Sequence, residues 1–328
     1  MEKKVFITEP LPFVEEAVKI LEKYAEVEVS EKFYDVVPSE KLKGCVAVIV
    51  GDSVISEASL EDADELRLVQ KAGVGVNTID LDACTKRGIY VCNLPGVNAL
   101  DVAEYVIGAI ISSLRDFPRM DRAARRAAWN ERPRLIGERL TGKKVGIIGL
   151  GRIGREVVRL LRPFNVEVLA YDPYISEDQA RNLNVEKAEL ETLLRESDIV
   201  TIHAPLTEET RGLIGKEELN LMKPTAILIN AARGSIVDEE ALYQALKNGK
   251  IRFAVIDVWA EEPLKLGNPL FELENVQLSI HTASWTRQVF EDIMRLSAEN
   301  VIRVIEGNKP LNIVNKSLVE AETEKGLS

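Results

Sequence analysis

Short apolar runs alternate with amphipathic stretches along nearly the whole chain. The runs Val5 to Thr8, Val46 to Val50, Leu66 to Gln70 and Ile89 to Cys92 predict strands. Between the first two, Phe13 to Tyr24 repeats apolar residues at three- and four-residue steps, as a helix with one buried face requires. After residue 140 the alternation sharpens. Further strands are predicted at Lys144 to Ile148, Glu167 to Tyr171, Ile199 to His203, Ala226 to Asn230, Phe253 to Asp257 and Val276 to Ile280. Helical patterns such as Glu239 to Lys247 fill the gaps. Strands this apolar, separated by helices, imply parallel sheets covered on both faces, so two α/β units are expected. Ala99 to Arg115 reads as one long helix, which Phe117-Pro118 breaks before a second, basic helix. Thr286 to Gly307 is again helical and follows the last strand of the second unit. Packed back on the first unit, it makes that unit discontinuous. The expected domains are therefore residues 1–98 plus 287–328, and residues 99–286.

Composition narrows the class. The 328 residues are 46% hydrophobic and 29% charged, enough for real cores under a solvated surface. Against 42 Lys and Arg stand 53 Asp and Glu, a net charge of −11, which repels a polyanion. Basic runs such as Arg122 to Arg126 are short and fit a solvated helix face, so no nucleic-acid partner is expected. The longest apolar segment, Val102 to Leu114, is too short for a bilayer, and the first residues lack the pattern of a signal peptide. Cys45, Cys84 and Cys92 have neither metal-ligand nor CxxC spacing and read as buried thiols in a reducing cytoplasm.

A candidate cofactor site follows the strand at Lys144. Gly149-Leu150-Gly151-Arg152-Ile153-Gly154 is a Gly-x-Gly-x-x-Gly turn between strand and helix. Gly149 permits the tight turn, Gly151 lets the backbone approach a pyrophosphate, and Gly154 lets helix and strand pack closely. Asp172 ends the next strand, where an acid binds an adenosine ribose and repels a 2′-phosphate. That favours NAD over NADP, although Arg152 adjoins the turn and Asp172 before Pro173 also reads as a helix cap.

Both histidines, His203 and His281, fall at the carboxyl ends of predicted strands, the edge where open α/β sheets bind ligands. Glu262 and Arg233 also follow strands. Each alone has a structural reading, as a core histidine, a surface acid or a helix-entry charge. Together they match hydroxy-acid dehydrogenation. A guanidinium grips the carboxylate, an imidazole moves the proton, and a carboxylate fixes the imidazole.

These segments resemble the D-isomer-specific 2-hydroxyacid dehydrogenases. The likeness spans roughly residues 45–310 and rests on the glycine turn, His203-Ala204-Pro205-Leu206-Thr207, Asn230-Ala231-Ala232-Arg233-Gly234, Asp257 to Pro263, and His281. Lys71 to Asn77 is similar to the family's substrate loop, and Asn93 to Glu104 to its hinge and long helix. The resemblance implies a flavodoxin-like substrate domain and a Rossmann NAD-binding domain. It implies His281, Glu262 and Arg233 as the catalytic set, and Val74 and Gly75 as backbone donors to the substrate; Lys71 beside them reads either as a substrate cation or as a solvated surface lysine. It assigns NAD contacts to Gly149, Gly151, Arg152, Ile153, Gly154, Asp172, Ala204, Pro205, Thr207, Ala231, Ala232 and Asp257, with His203 lining the cofactor. It also implies a homodimer through the long helix after residue 99.

The substrate expected is a small 2-hydroxy or 2-oxo acid, either 3-phosphoglycerate or glyoxylate/hydroxypyruvate. Family members acting on phosphoglycerate often carry an arginine after the strand that here ends Val48-Ile49-Val50, where this chain has Gly51-Asp52-Ser53. Trp285 stands where small residues usually follow the histidine. The alternative in another class is an NADH-sensing corepressor on the same scaffold; a third is a nucleoside-binding hydrolase or amino-acid dehydrogenase of similar topology.

Overall fold

A computed structural model describes residues 3–320. The chain runs β1 (Lys4–Ile7), α1 (Val14–Leu21), β2 (Glu26–Val29), α2 (Ser39–Leu42), β3 (Cys45–Val50), β4 (Leu68–Lys71), α3 (Leu81–Lys86) and β5 (Tyr90–Cys92). It continues through α4 (Ala99–Arg115), α5 (Phe117–Arg125), β6 (Lys144–Ile148), α6 (Arg152–Leu161), β7 (Glu167–Tyr171), α7 (Glu177–Asn182) and β8 (Glu186–Lys187). Then follow α8 (Leu190–Glu196), β9 (Ile199–Ile202), α9 (Lys216–Leu221), β10 (Ile227–Asn230), α10 (Glu239–Lys247), β11 (Phe253–Ile256), β12 (Val276–Leu278) and α11 (Arg287–Ile305). Two compact units result, one from the residues up to Asn98 with those from Trp285 onward, the other from Ala99–Ser284.

The first unit is a parallel sheet of order β2-β1-β3-β4-β5, the flavodoxin-like arrangement. Every residue of β3 is buried, as a strand covered on both faces demands. The face opposite α3 is covered by α1 and α11. In α11, Val289, Ile293, Met294, Ser297, Ala298, Val301 and Val304 form one buried stripe. Thr286 caps this helix by accepting the Val289 N–H at 3.1 Å.

The second unit is a seven-stranded parallel sheet of order β12-β11-β10-β9-β6-β7-β8. Strand order reverses between β6 and β9, the switch point at which such sheets bind nucleotides. Gly154, Val157, Val158 and Leu161 bury one stripe of α6, and α4 packs beside it with Val102, Ala103, Val106 and Ile110.

Some boundaries differ from those the pattern predicts. The last strand stops at Leu278 rather than Ile280, whose side chain is 71% exposed, because the chain turns there to present His281 at φ 57°. The edge strands β2 and β8 escape the sequence reading because they are only half-buried, and β2 alternates Glu with Val. The break after α4 lies at Asp116, in the left-handed region at φ 53°. All three cysteines are buried, and desolvation pushes the thiols up to about 11 for Cys45 and about 12 for Cys84 and Cys92. Among the described residues, no helix is long and apolar enough to cross a membrane.

Candidate active site

The second unit gathers its candidate residues at one edge of its sheet. Gly149 follows β6, His203 follows β9, Arg233 follows β10, Asp257 and Glu262 follow β11, and Ser279 and His281 follow β12. Since all these strands are parallel, their carboxyl ends share one side.

The glycine turn is built by close approach. Gly149 sits at φ 91°, and a Cβ there would come 2.6 Å from the Ala204 backbone nitrogen. A Cβ at Gly154 would run into the Gly149 carbonyl oxygen, so α6 packs against its strand only with glycine there. Gly151 has open space around its missing side chain and begins α6, whose first turn carries no acid. A bare helix start, free amides and an exposed Arg152 suit a pyrophosphate, so the residues fit a dinucleotide. Ile153 is half-buried beside Arg152, and Ala204, Pro205 and Thr207 line the chain leaving β9. Asp172 is not a helix cap; Ser176 caps α7 instead. Its carboxylate accepts the Leu150 N–H at 2.8 Å and the Tyr174 N–H at 2.9 Å, which ties the end of β7 to the glycine turn.

His203 shares a hydrogen bond of 3.0 Å with the Thr201 hydroxyl through Nε2, while its Nδ1 has no partner. Burial lowers its pKa to about 3, so it stays neutral and serves no acid role.

Glu262 and His281 meet directly, with Nδ1 of the imidazole 2.8 Å from Oε2 of the carboxylate. The other oxygen of Glu262 accepts the Trp259 N–H at 3.0 Å. Arg233 is not bonded to this pair. Its Nη1 donates to the Ala232 carbonyl at 2.6 Å, and its backbone is fixed by Asn230, which donates to the Arg233 carbonyl and accepts the Ala232 N–H. Ala231 is half-buried beside them and Ala232 is buried. Gly234 connects the two loops, since a Cβ on it would overlap the Trp259 backbone.

Asp257 faces the protein rather than open space. It is 1% exposed, and it accepts the Ser279 hydroxyl at 2.6 Å, the Thr282 N–H at 2.8 Å and the Ala283 N–H at 2.9 Å. Its carbonyl takes the His281 N–H at 2.6 Å. The Tyr105 hydroxyl, 2.7 Å from Ser279 Oγ, extends the network, and burial raises its pKa. Sequence reasoning misses Tyr105, Ser279, Trp259 and Asn230. Asn230 and Trp259 lie in segments that carry the family resemblance, and Asn230 has a further signal in its place at the end of an apolar strand, where a polar side chain can cap the turn.

In the first unit, Val74 and Gly75 follow β4 on a loop whose carbonyls are held from one side. Leu94 N–H donates to the Gly73 carbonyl at 2.8 Å, and Asn93 Nδ2 to the Val74 carbonyl at 2.7 Å. The amides of Val74 and Gly75 have no partner among the described residues. Lys71 departs from both of its sequence readings. It is 7% exposed, neither a solvated lysine nor an open cation, because its ammonium donates to the Gly51 carbonyl and pairs with Asp52 at 3.3 Å. Trp285 is 60% exposed and stands edge-on to Phe290 at 5.3 Å.

Switch-point topology, a glycine turn and a His–Glu pair at one sheet edge define a dinucleotide-binding α/β protein. Residues 107–283 match the model of the D-isomer specific 2-hydroxyacid dehydrogenase, NAD binding domain, so NAD is the cofactor of this unit. The chain is 39% identical over 321 residues to a D-3-phosphoglycerate dehydrogenase of Methanocaldococcus jannaschii, covering 97% of this chain and 60% of that one. It is 38% identical to a glyoxylate reductase of Korarchaeum cryptofilum, over 98% of each chain. The crystal structure of TT0316 protein from Thermus thermophilus superposes with a TM-score of 0.86 at 33% identity, over 95% of this chain and 99% of that one. The chain belongs to the D-isomer specific 2-hydroxyacid dehydrogenase family, and it spans about 60% of the length of the phosphoglycerate dehydrogenases it matches.

Proposed function

We propose that the protein is an NAD-dependent dehydrogenase that interconverts a small 2-hydroxy acid and its 2-oxo acid. The observation that carries the reading is the His281–Glu262 pair at the sheet edge that also holds the glycine turn. Bound NAD supplies the redox chemistry, its nicotinamide ring taking up or giving back a hydride.

The remaining work falls to this chain. With Glu262 accepting at Nδ1, the His281 proton sits on that nitrogen, which leaves Nε2 to serve the substrate oxygen. Protonated at both nitrogens, His281 gives the Nε2 proton to the substrate oxygen in reduction; in oxidation it takes that proton back. Glu262 stabilises the imidazolium in either direction. Arg233 offers its guanidinium to the substrate carboxylate, a planar fork against a planar acceptor. Val74 and Gly75 offer two amides to the same kind of group. Gly149 to Gly154, Asp172, Ala204, Pro205, Thr207, Ala231 and Ala232 hold the cofactor, His203 lines it as a neutral ring, and Asp257 fixes the loop that carries His281.

The relatives' names point to glyoxylate, or to 3-phosphoglycerate with 3-phosphohydroxypyruvate as its oxidised form, and the sequence resemblance adds hydroxypyruvate. The homodimer expected through α4 rests on the family resemblance alone, since Val102, Ala103, Val106 and Ile110 of that helix are buried within its own unit, and three buried thiols suit a reducing cytoplasm. Loss of NADH absorbance against these three 2-oxo acids and pyruvate tests the proposal. Turnover of at least one supports it; tight NADH binding with no 2-oxo acid reduced would overturn it.

A further inference from the structure

We infer that Glu9 determines specificity by closing the first unit's sheet edge to a phosphate, so that the acid reduced is an unphosphorylated one. The inference rests on the 2-oxo acid reading above and names its substrate class.

Glu9 follows β1 and is 6% exposed. Its carboxylate is surrounded by donors from the end of β3 and its own strand. Oε1 takes the Asp52 N–H and, at 3.3 Å, the Ser53 N–H. Oε2 takes the Ser53 hydroxyl at 2.6 Å and the Thr8 hydroxyl. Successive backbone amides with a hydroxyl beside them make an anion-binding concavity. Here the chain's own carboxylate fills it.

Gly51 completes the closure. A Cβ at this position would land on Glu9 Oε1 and come within 2.7 Å of a Leu11 methyl, so a side chain at 51 would displace the Glu9 carboxylate from where it stands. The nearby cation is also taken, for Lys71 donates to the Gly51 carbonyl and pairs with Asp52. Two carboxylates against one ammonium leave the corner net negative. Because β1 and β4 flank β3 in the sheet, Glu9, Gly51 and Lys71 stand at one edge. The loop carrying the Val74 and Gly75 amides leaves that same edge from β4. A phosphate carried into this corner finds its amide donors used and a like charge waiting.

The test uses the NADH-saturated protein, so that the glycine turn is filled. Wild type should reduce hydroxypyruvate with a kcat/KM about tenfold or more above that for 3-phosphohydroxypyruvate. Glu9→Gln, of the same shape without the charge, should narrow that ratio through KM for the phosphorylated acid. Glu9→Ser, which empties the concavity, should narrow it further. Inorganic phosphate should raise the melting temperature of Glu9→Ser and leave wild type unmoved at matched ionic strength. A wild type that prefers the phosphorylated acid overturns the inference, whether or not the variants fold. So does a Glu9→Gln ratio equal to that of wild type, or a folded Glu9→Ser that phosphate does not protect. If no form reduces either acid while phosphate still protects Glu9→Ser, the reduction reading fails and the closure by Glu9 stands.

Discussion

Glu262 holds His281 and is itself held: one oxygen lies 2.8 Å from His281 Nδ1, and the other accepts the Trp259 N–H at 3.0 Å. The two side chains are 37% and 47% exposed, respectively. A pair this open contributes only ~0–1 kcal/mol to stability, so its consequence lies in the tautomer and aim of the imidazole rather than in the fold. His281→Ala should therefore lower kcat by roughly 10²–10⁴ while NADH binding, followed by fluorescence titration, survives. Glu262→Gln should lower kcat less and leave the melting temperature nearly unchanged. Turnover retained in His281→Ala would falsify the proton-transfer role.

Gly234→Ala should separate the Arg233 loop from the Trp259 backbone, since the added methyl has no room. Overpacking of this kind costs ~1–3 kcal/mol, and displacement of the guanidinium should reduce kcat/KM as well. Thermal melting and steady-state kinetics check both effects. A variant with wild-type melting and kinetics would mean the loops can part freely.

On the proposed function, Asp172 acts on the cofactor through its charge, and it accepts the Leu150 amide of the glycine turn. Asp172→Asn removes the repulsion of a 2′-phosphate and should raise the ratio of NADPH to NADH kcat/KM by about tenfold. The ratio measured in one buffer decides this; no change would place the discrimination elsewhere on the turn.

Burial of His203 gives stability a defined pH dependence. Its folded pKa is about 3 against an ordinary 6.5, so below 6.5 the unfolded chain binds a proton that the folded chain refuses. Stability from this group is complete above 6.5 and falls by at most about 1.4 kcal/mol per pH unit between 6.5 and 3. His203→Gln should flatten the acid side of the melting profile over that window. Parallel acid limbs for wild type and variant would rule the histidine out.

The buried thiols give a chemical check on the same packing. With all three pushed to about 11 or 12 by desolvation, native protein at pH 8 should resist a disulfide reagent, and denatured protein should release three equivalents. Fast labelling of the native protein would contradict the packing around Cys45, Cys84 or Cys92.

Much of this molecule was written locally. The apolar runs specified parallel strands because a strand buried on both faces has no polar alternation, and Gly149 and Gly154 specified a tight turn because each meets backbone where a side chain would stand. His281, Glu262 and Arg233 could be singled out because each closely follows an apolar run, and the family's residue pattern linked them. What periodicity could not report was encounter between distant segments. Glu9 and Ser53 lie on neighbouring strand ends, Tyr105 reaches Ser279 from α4, and Lys71 is buried against Gly51. Each of these depends on strand order and register, which bring remote carboxyl ends to one edge. A local pattern records only which face a residue turns to; the sheet decides which partner it finds there.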